Sequence, residues 1–366
     1  MKKTFLFIVC FMLIACFGAC KNESNELVET ENEDPATTDR EESDLIEEDI
    51  GAKENTTDKE EDTRTYYITE SFESTDLASA MDESSSTKEI KIYLPKSYYD
   101  EDKRYPVVYY LHGFGQAQSF IISYKWSFEE LMVQPDNKEF IVVEVSGHRA
   151  NTSEGSFWVN SPVTGLWEDF VIDEIIPYID GKYNTIPNAE SRGISGFSMG
   201  GFGCVNLAFK HPDIFSSVMA VGPGLIKEGS IETAIKGWRG DSIFLRCYGQ
   251  SFAPNIDKEK LCDIPTLDGT PEDNEIIEKW DAGYGDLEDK VNAYLELDQE
   301  LRAIYLIYGK ADPYKWIPEG TIEFSRILTE ADIDNTLTEL NIGHSLPKDY
   351  AKDYFVPFFS ESLVFE

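Results

Sequence analysis

Residues 196–200 read Gly-Phe-Ser-Met-Gly, a G-x-S-x-G pentapeptide inside "GISGFSMGGFG". Small residues two places either side of a serine allow a turn tight enough to hold the hydroxyl out between a strand and a helix. The chemistry on offer is nucleophilic attack by Ser198 on a carbonyl carbon. A glycine-rich turn without chemistry has the same spacing, so the rest of the chain must decide. A serine hydroxyl needs a base, and a histidine base needs a carboxylate to hold its tautomer and stabilise its charged form. The chain has 4 histidines. His112 stands in "LHGFG", His148 in the loop "SGHRANTSEG" and His211 in "KHPD" at a helix end, each in the wrong order or context. His344, in "NIGHSLPKDY", alone lies downstream of every candidate acid, which fits the chain order serine, acid, histidine. The preferred acid is Asp312 in "LIYGKADPY", just past an apolar strand, where catalytic groups of open α/β sheets gather. An Asp before Pro313 is also an ordinary turn residue. Asp268, Asp281 and Asp286 are held in reserve. An oxyanion would need two donors, and the backbone N–H groups of Met199 and Phe114 are the candidates.

These residues need a frame. "YPVVYYLHG", "EFIVVEVSG", "FSSVMAVGPG" and "RAIYLIYGKAD" are continuous apolar runs suited to strands buried on both faces. "TRTYYITESF" and "TKEIKIYLPKSYY" alternate as half-buried strands do. "GLWEDFVIDEIIPYID", "FGCVNLAFKHPD" and "EGTIEFSRILTEADI" carry helical spacing, and a final helix follows His344. Strands alternating with helices predict an α/β fold with a mostly parallel central sheet covered by helices on both faces. Residues 225–300 break this rhythm, with "SIFLRCYG" the one candidate strand, and read as a lid-like insertion or ordinary surface helices. Trp158, Trp167 and Trp280 are candidates for stacking on a sugar or phenolic ring, although tryptophans more often fill a core.

Net charge is −37, which repels phosphates and argues against nucleic acid as a partner. The acidity is concentrated: residues 21–64 hold 18 Asp and Glu against 5 Lys and Arg, without aromatic residues. That composition predicts a disordered tether. Before it, "MKKTFLFIVCFMLIACFGAC" has the layout of a secretory signal over residues 1–20. "LIAC" and "FGAC" both resemble a bacterial lipobox. Cys20 adjoins the tether and is the preferred lipidation site, with Cys16, the stricter match, as the alternative. An exported lipoprotein held at a membrane or cell surface is expected. Cys204, Cys247 and Cys262 have no short repeated spacing, so neither a disulfide framework nor a zinc site is indicated, and the serine chemistry calls for no metal or organic cofactor.

The chain resembles the esterase D-like family of α/β-hydrolases, which includes feruloyl and acetyl-xylan esterases, S-formylglutathione hydrolases, siderophore esterases and mycolyltransferases. "IYLPKSYYDEDKRYPVVYYLHGFG", "GSFWVNSPVTGLWEDFVIDEIIPYID" and "SRGISGFSMGGFGCVNLAFKHPDIFSSV" carry the resemblance over most of residues 88–222, and "YGKADPY" and "GHS" extend it over 301–360. It implies an esterase domain over residues 65–366, with Ser198 as nucleophile, His344 as base, Asp312 as acid and the Phe114 and Met199 amides as oxyanion donors. Many relatives have Gly-Gly-His-Asp where this chain has Ile342-Gly343-His344-Ser345. The reading expected from all this is a serine carboxylic-ester hydrolase acting on feruloyl or acetyl esters of plant polysaccharides. Acyl transfer to a hydroxyl acceptor, peptide cleavage and a non-catalytic binding lipoprotein are the other readings.

Overall fold

The computed structural model describes residues 64–366 apart from 83, 101, 151 and 152. The signal, lipobox and most of the tether named above therefore lie outside the described residues. Eight strands form one sheet: β1 Tyr67–Glu73, β2 Thr87–Tyr93, β3 Val107–Leu111, β4 Ile141–Val145, β5 Arg192–Phe197, β6 Ser217–Val221, β7 Ala303–Gly309 and β8 Thr336–Leu340. Their spatial order is β1-β2-β4-β3-β5-β6-β7-β8. The first two strands pair antiparallel and the six from β4 to β8 run parallel. All five residues of β3, of β4 and of β6 are buried, as are all six of β5. The apolar runs of β3, β4 and β6, interrupted only by Glu144 and Ser217, follow from that, since both faces of these strands are covered, whereas β5 reads Arg-Gly-Ile-Ser-Gly-Phe.

Side chains alternate across the pleat and feed two cores. Val107, Tyr109 and Leu111 of β3 join one core with Ile194, Phe202 and Val205. Val108 and Tyr110 join the other with Phe120, Phe128, Phe355 and Phe359. The helices that supply these layers include α1 Phe120–Leu131, α2 Met199–Lys210, α7 Trp316–Glu330 and α8 Val356–Ser362. The amphipathic stretch 167–182 is one helical run, α over Trp167–Asp169, π over Phe170–Ile175 and α again over Ile176–Lys182.

Between β6 and β7 the chain forms α3 Ile231–Trp238, α4 Ser242–Phe252, α5 Pro271–Tyr284 and α6 Leu287–Leu295. The candidate strand "SIFLRCYG" is therefore corrected to helix. Asp241 decides it locally, because its carboxylate accepts from the amides of Ile243 and Phe244 and caps α4. The β8 strand and α1 complete the fold beyond the sequence reading.

Candidate active site

Ser198 sits between β5 and α2 with φ 56° and ψ −114°. That backbone conformation is sparsely populated for any residue with a side chain and costs on the order of 1–3 kcal/mol. The surroundings hold it in place. The Ser198 N–H donates to the Val221 carbonyl at 3.0 Å, and the Ser198 carbonyl accepts from Phe202 at 2.9 Å and Gly224 at 3.2 Å. The two glycines of the pentapeptide are demanded by contact. A Cβ on Gly196 would lie 2.1 Å from the Gly200 carbonyl oxygen, and one on Gly200 would lie 1.9 Å from that of Leu111. No side chain fits at either place, so the turn closes only as G-x-S-x-G.

Asp312 lies three residues past β7 and is 1% exposed. Its Oδ1 accepts from the Tyr314 amide at 2.8 Å, and its Oδ2 lies 2.7 Å from His344 Nδ1. His344 Nε2 lies 2.9 Å from Ser198 Oγ. An ionised carboxylate only accepts, so the Nδ1 facing Asp312 carries the hydrogen and Nε2 is left to accept from the serine hydroxyl. The imidazole is held edge and face: the Phe197 ring centroid lies 4.8 Å away and that of Tyr314 5.2 Å away at 85°. The two loops are joined through their backbones. Lys310 N–H donates to the Leu340 carbonyl at 2.8 Å and Ala311 N–H to that of Ile342 at 2.9 Å. Three stretches far apart in sequence thus bring Ser198, His344 and Asp312 into one hydrogen-bonded row.

Met199 begins α2, where the first amides have no acceptor within the helix. Phe114 lies in the turn after β3, which Gln116 braces by accepting from the Gly113 amide at 3.0 Å. Both side chains pack on Gly155, where a Cβ would meet Met199 Sδ at 2.4 Å and Phe114 Cδ2 at 2.7 Å. His112 anchors the same turn from below. Its Nδ1–H donates to the Gly113 carbonyl at 2.9 Å and its Nε2 accepts from Gly147 at 2.8 Å. Burial holds this imidazole neutral, with its pKa pushed down to about 3. Among the described residues no cluster of three or more His, Cys, Asp or Glu side chains is placed to hold a metal.

Ser198 and His344 open onto a cavity of about 200 Å³. Six aromatic side chains line it: Phe114, Trp238, Phe244, Tyr284, Tyr314 and Trp316. Trp238 packs on Phe244 at 4.9 Å and on Trp316 at 5.5 Å between centroids, so the helices between β6 and β7 and the start of α7 close over Ser198 together.

Residues 83–251 match the family model described as Putative esterase. That stretch belongs to the family. An esterase of Mycobacterium tuberculosis strain H37Rv is 30% identical over 283 residues, which cover 71% of this chain and 53% of the relative. The chain thus spans about half the length of that curated relative. An endo-1,4-beta-xylanase/feruloyl esterase of Xylanibacter ruminicola is 28% identical over 176 residues, 46% of this chain and 23% of the relative. Among solved structures, a ferulic acid esterase superposes with TM-score 0.56 at 20% identity, covering 81% of this chain and 98% of the other. An S-formylglutathione hydrolase from Agrobacterium tumefaciens superposes with TM-score 0.52 at 17% identity, covering 81% and 95%. The fold is that of the α/β-hydrolase esterases.

Within the esterase domain several expectations change. Trp158 and Trp167 are fully buried and do not line the cavity over Ser198. The Trp158 indole fills space left by Gly147 and Gly203, where a Cβ would meet it at 2.4 Å in each case. Trp280 is buried too and donates Nε1–H to the Asp263 carbonyl at 3.0 Å. Apart from Phe114, the aromatic residues that reach the cavity are ones the sequence did not single out as site residues, Trp238 and Trp316 above all. Trp316 stands four residues after Asp312, a nearness to the acid that was the available signal. Of the reserve acids, Asp268 accepts from the Thr270 amide and Asp286 is the left-handed residue before α6. Asp281 is held protonated more readily than usual, pushed up to about 6 by burial and by Asp286. None of the three bonds to His344. Cys204, Cys247 and Cys262 are free and buried.

Proposed function

We propose that this chain is a serine carboxylic-ester hydrolase whose nucleophile is Ser198, base His344 and orienting acid Asp312. The observation that carries the reading is the hydrogen-bonded row of these three side chains at the mouth of an aromatic cavity. As Ser198 Oγ bonds to the ester carbonyl carbon, its proton passes to His344 Nε2, and Asp312 stabilises the imidazolium. The carbonyl oxygen takes the electron pair and rests on the amides of Met199 and Phe114. Collapse breaks the ester C–O bond, and His344 returns the proton to the departing alcohol. Water, deprotonated by His344 in turn, then releases the acid and restores Ser198.

For the acyl group we favour an aromatic one of the feruloyl type. Six aromatic side chains around about 200 Å³ suit a phenyl ring, whereas an acetyl group would leave most of that apolar wall unfilled. The domain's likeness to feruloyl esterases supports the same choice. We also propose that the protein is exported and held at a membrane surface by a lipid on Cys20, or on Cys16, supported by the two lipobox-like tetrapeptides before the acidic tether.

The test is a panel of methyl ferulate, acetylated xylan, S-formylglutathione and a chromogenic acetate ester, run with wild type and Ser198→Ala. The expected result is a preference for methyl ferulate that disappears in the variant, with the folded state unchanged by circular dichroism. Equal turnover by Ser198→Ala refutes the nucleophile, and a preference for acetyl esters refutes the aromatic assignment. Mass spectrometry of the mature N-terminus distinguishes Cys20, Cys16 and an unlipidated cut.

A further inference from the structure

A second cavity, of about 580 Å³, lies between α2 and the helices α4 to α6. It shares no lining residue with the cavity over Ser198. The partition runs through chain neighbours, with Gly224 and Tyr284 facing Ser198 and Leu225 and Gly283 facing the second space. Its floor is apolar and buried: Val205, Phe209, Leu225 and Phe324.

One floor residue does not suit an apolar void. Asn206, on α2, is 8% exposed, and its buried Nδ2 donates to no described residue. Buried amides are nearly always paired, and an unpaired one is a standing cost that a leucine here would avoid. The rim supplies the second clue. Lys279, Lys290, Asp286 and Asp289 place two cations and two carboxylates around the mouth. Lys290 already donates to the carbonyls of Ala282 at 3.1 Å and Gly285 at 2.5 Å. Lys210, also at the rim, is tied to Glu168 at 2.7 Å. A carboxylate ligand would meet Asp286 and Asp289, and an ammonium ligand would meet the lysines.

We propose that this cavity is a second binding site, for a neutral amphiphile whose apolar chain or ring covers the floor and whose hydroxyl or ether oxygen pairs with Asn206. The site is separate from the ester chemistry and does not depend on it.

The probe is N-phenyl-1-naphthylamine, neutral and fluorescent in apolar surroundings, titrated into the full chain and displaced with decan-1-ol. Saturable one-site binding is expected, and it should persist after Ser198 is blocked with phenylmethylsulfonyl fluoride, the labelling being verified by mass. Ala293→Trp, at an exposed position on α6 that lines the mouth, should weaken the probe about tenfold or more by filling the cavity. Leu297→Trp does the same from a neighbouring position if Ala293→Trp melts early. Asn206→Leu should keep the probe within about twofold while weakening decan-1-ol displacement about fivefold, the loss of one hydrogen bond. Probe binding lost on blocking Ser198 would place the ligand over the nucleophile and overturn the proposal. So would full affinity in a folded tryptophan variant, or decan-1-ol displacement unchanged in Asn206→Leu. If the serine fails to label, that bears on the hydrolase reading alone, and the tryptophan variants still decide the cavity.

Discussion

Replacing Asp312 by Asn changes a single heavy atom, and the structure dictates which atom faces the histidine. The Tyr314 amide donates to Asp312 Oδ1 at 2.8 Å, and His344 Nδ1 faces Oδ2 at 2.7 Å. A carboxamide at 312 would keep its oxygen on the Tyr314 N–H, because the opposite orientation sets two donors against each other. Its NH₂ then points at His344 Nδ1. The imidazole must accept there, so its hydrogen moves to Nε2 and is aimed at Ser198 Oγ, 2.9 Å away. The base has then lost its lone pair on the side where it is needed. An equivalent tautomer trap in an unrelated serine enzyme lowers kcat by roughly 10⁴, about 5 kcal/mol of barrier. The same loss is expected here, because 1% exposure leaves Asp312 no water to substitute for the carboxylate. The assay is kcat on methyl ferulate across pH 6–9, with circular dichroism to verify folding. Asp312→Ala should retain more activity than Asp312→Asn, since it removes the acceptor without imposing the wrong tautomer. A loss below about tenfold for Asp312→Asn would refute the argument and move the acid elsewhere.

Ser198→Gly should be more stable than Ser198→Ala by about 1 kcal/mol in urea unfolding, because φ 56° suits glycine and strains alanine; equal midpoints would mean that the elbow stores no strain. Trp238→Ala should lower kcat/KM for methyl ferulate by about tenfold or more while leaving the chromogenic acetate ester nearly unaffected, since the indole walls the cavity without approaching the reacting atoms. His112 remains neutral in the fold, with a pKa near 3, while the unfolded imidazole titrates near 6.5. Its contribution is complete above about pH 6.5 and is lost as pH falls toward 3, because the unfolded chain then binds a proton that the fold refuses. The stability advantage of wild type over His112→Gln should therefore shrink by up to about 1.4 kcal/mol per pH unit in that window, measured by denaturant unfolding at a series of pH values.

The sequence carried the elbow and the central strands because physical necessity leaves few residue choices there. Gly196 and Gly200 face carbonyl oxygens near 2 Å from any added Cβ, and β3 to β6 are covered on both faces, so their composition is legible without a partner. Trp238 and Phe244 were not legible as site residues because their role depends on how α3 and α4 lie over the sheet, which no local pattern encodes. Trp158 and Trp167, both inside a stretch that carries the family resemblance, turn inward instead. β8 escaped notice because "TLTEL" is an edge strand whose residues are all at least partly exposed. In α1, Phe120, Ile121 and Phe128 are buried while Ile122 and Trp126 face solvent, which blurs the helical stripe.

The backbone zipper between the loops after β7 and β8 has a further consequence. Lys310 and Ala311 fasten that segment to Leu340 and Ile342 through amides and carbonyls alone. Main-chain atoms are the same whatever side chains they carry, so the clasp that brings His344 to Ser198 demands a particular residue only at Gly309, where a Cβ would lie 2.4 Å from the Gly343 carbonyl oxygen. Ile342 and Ser345 are therefore free to depart from a relative's spelling without moving the imidazole. One end of the proposed row is written in two glycines flanking the serine and the other mostly in main-chain bonds that many residues can make, so a search by motif finds Ser198 long before it finds His344.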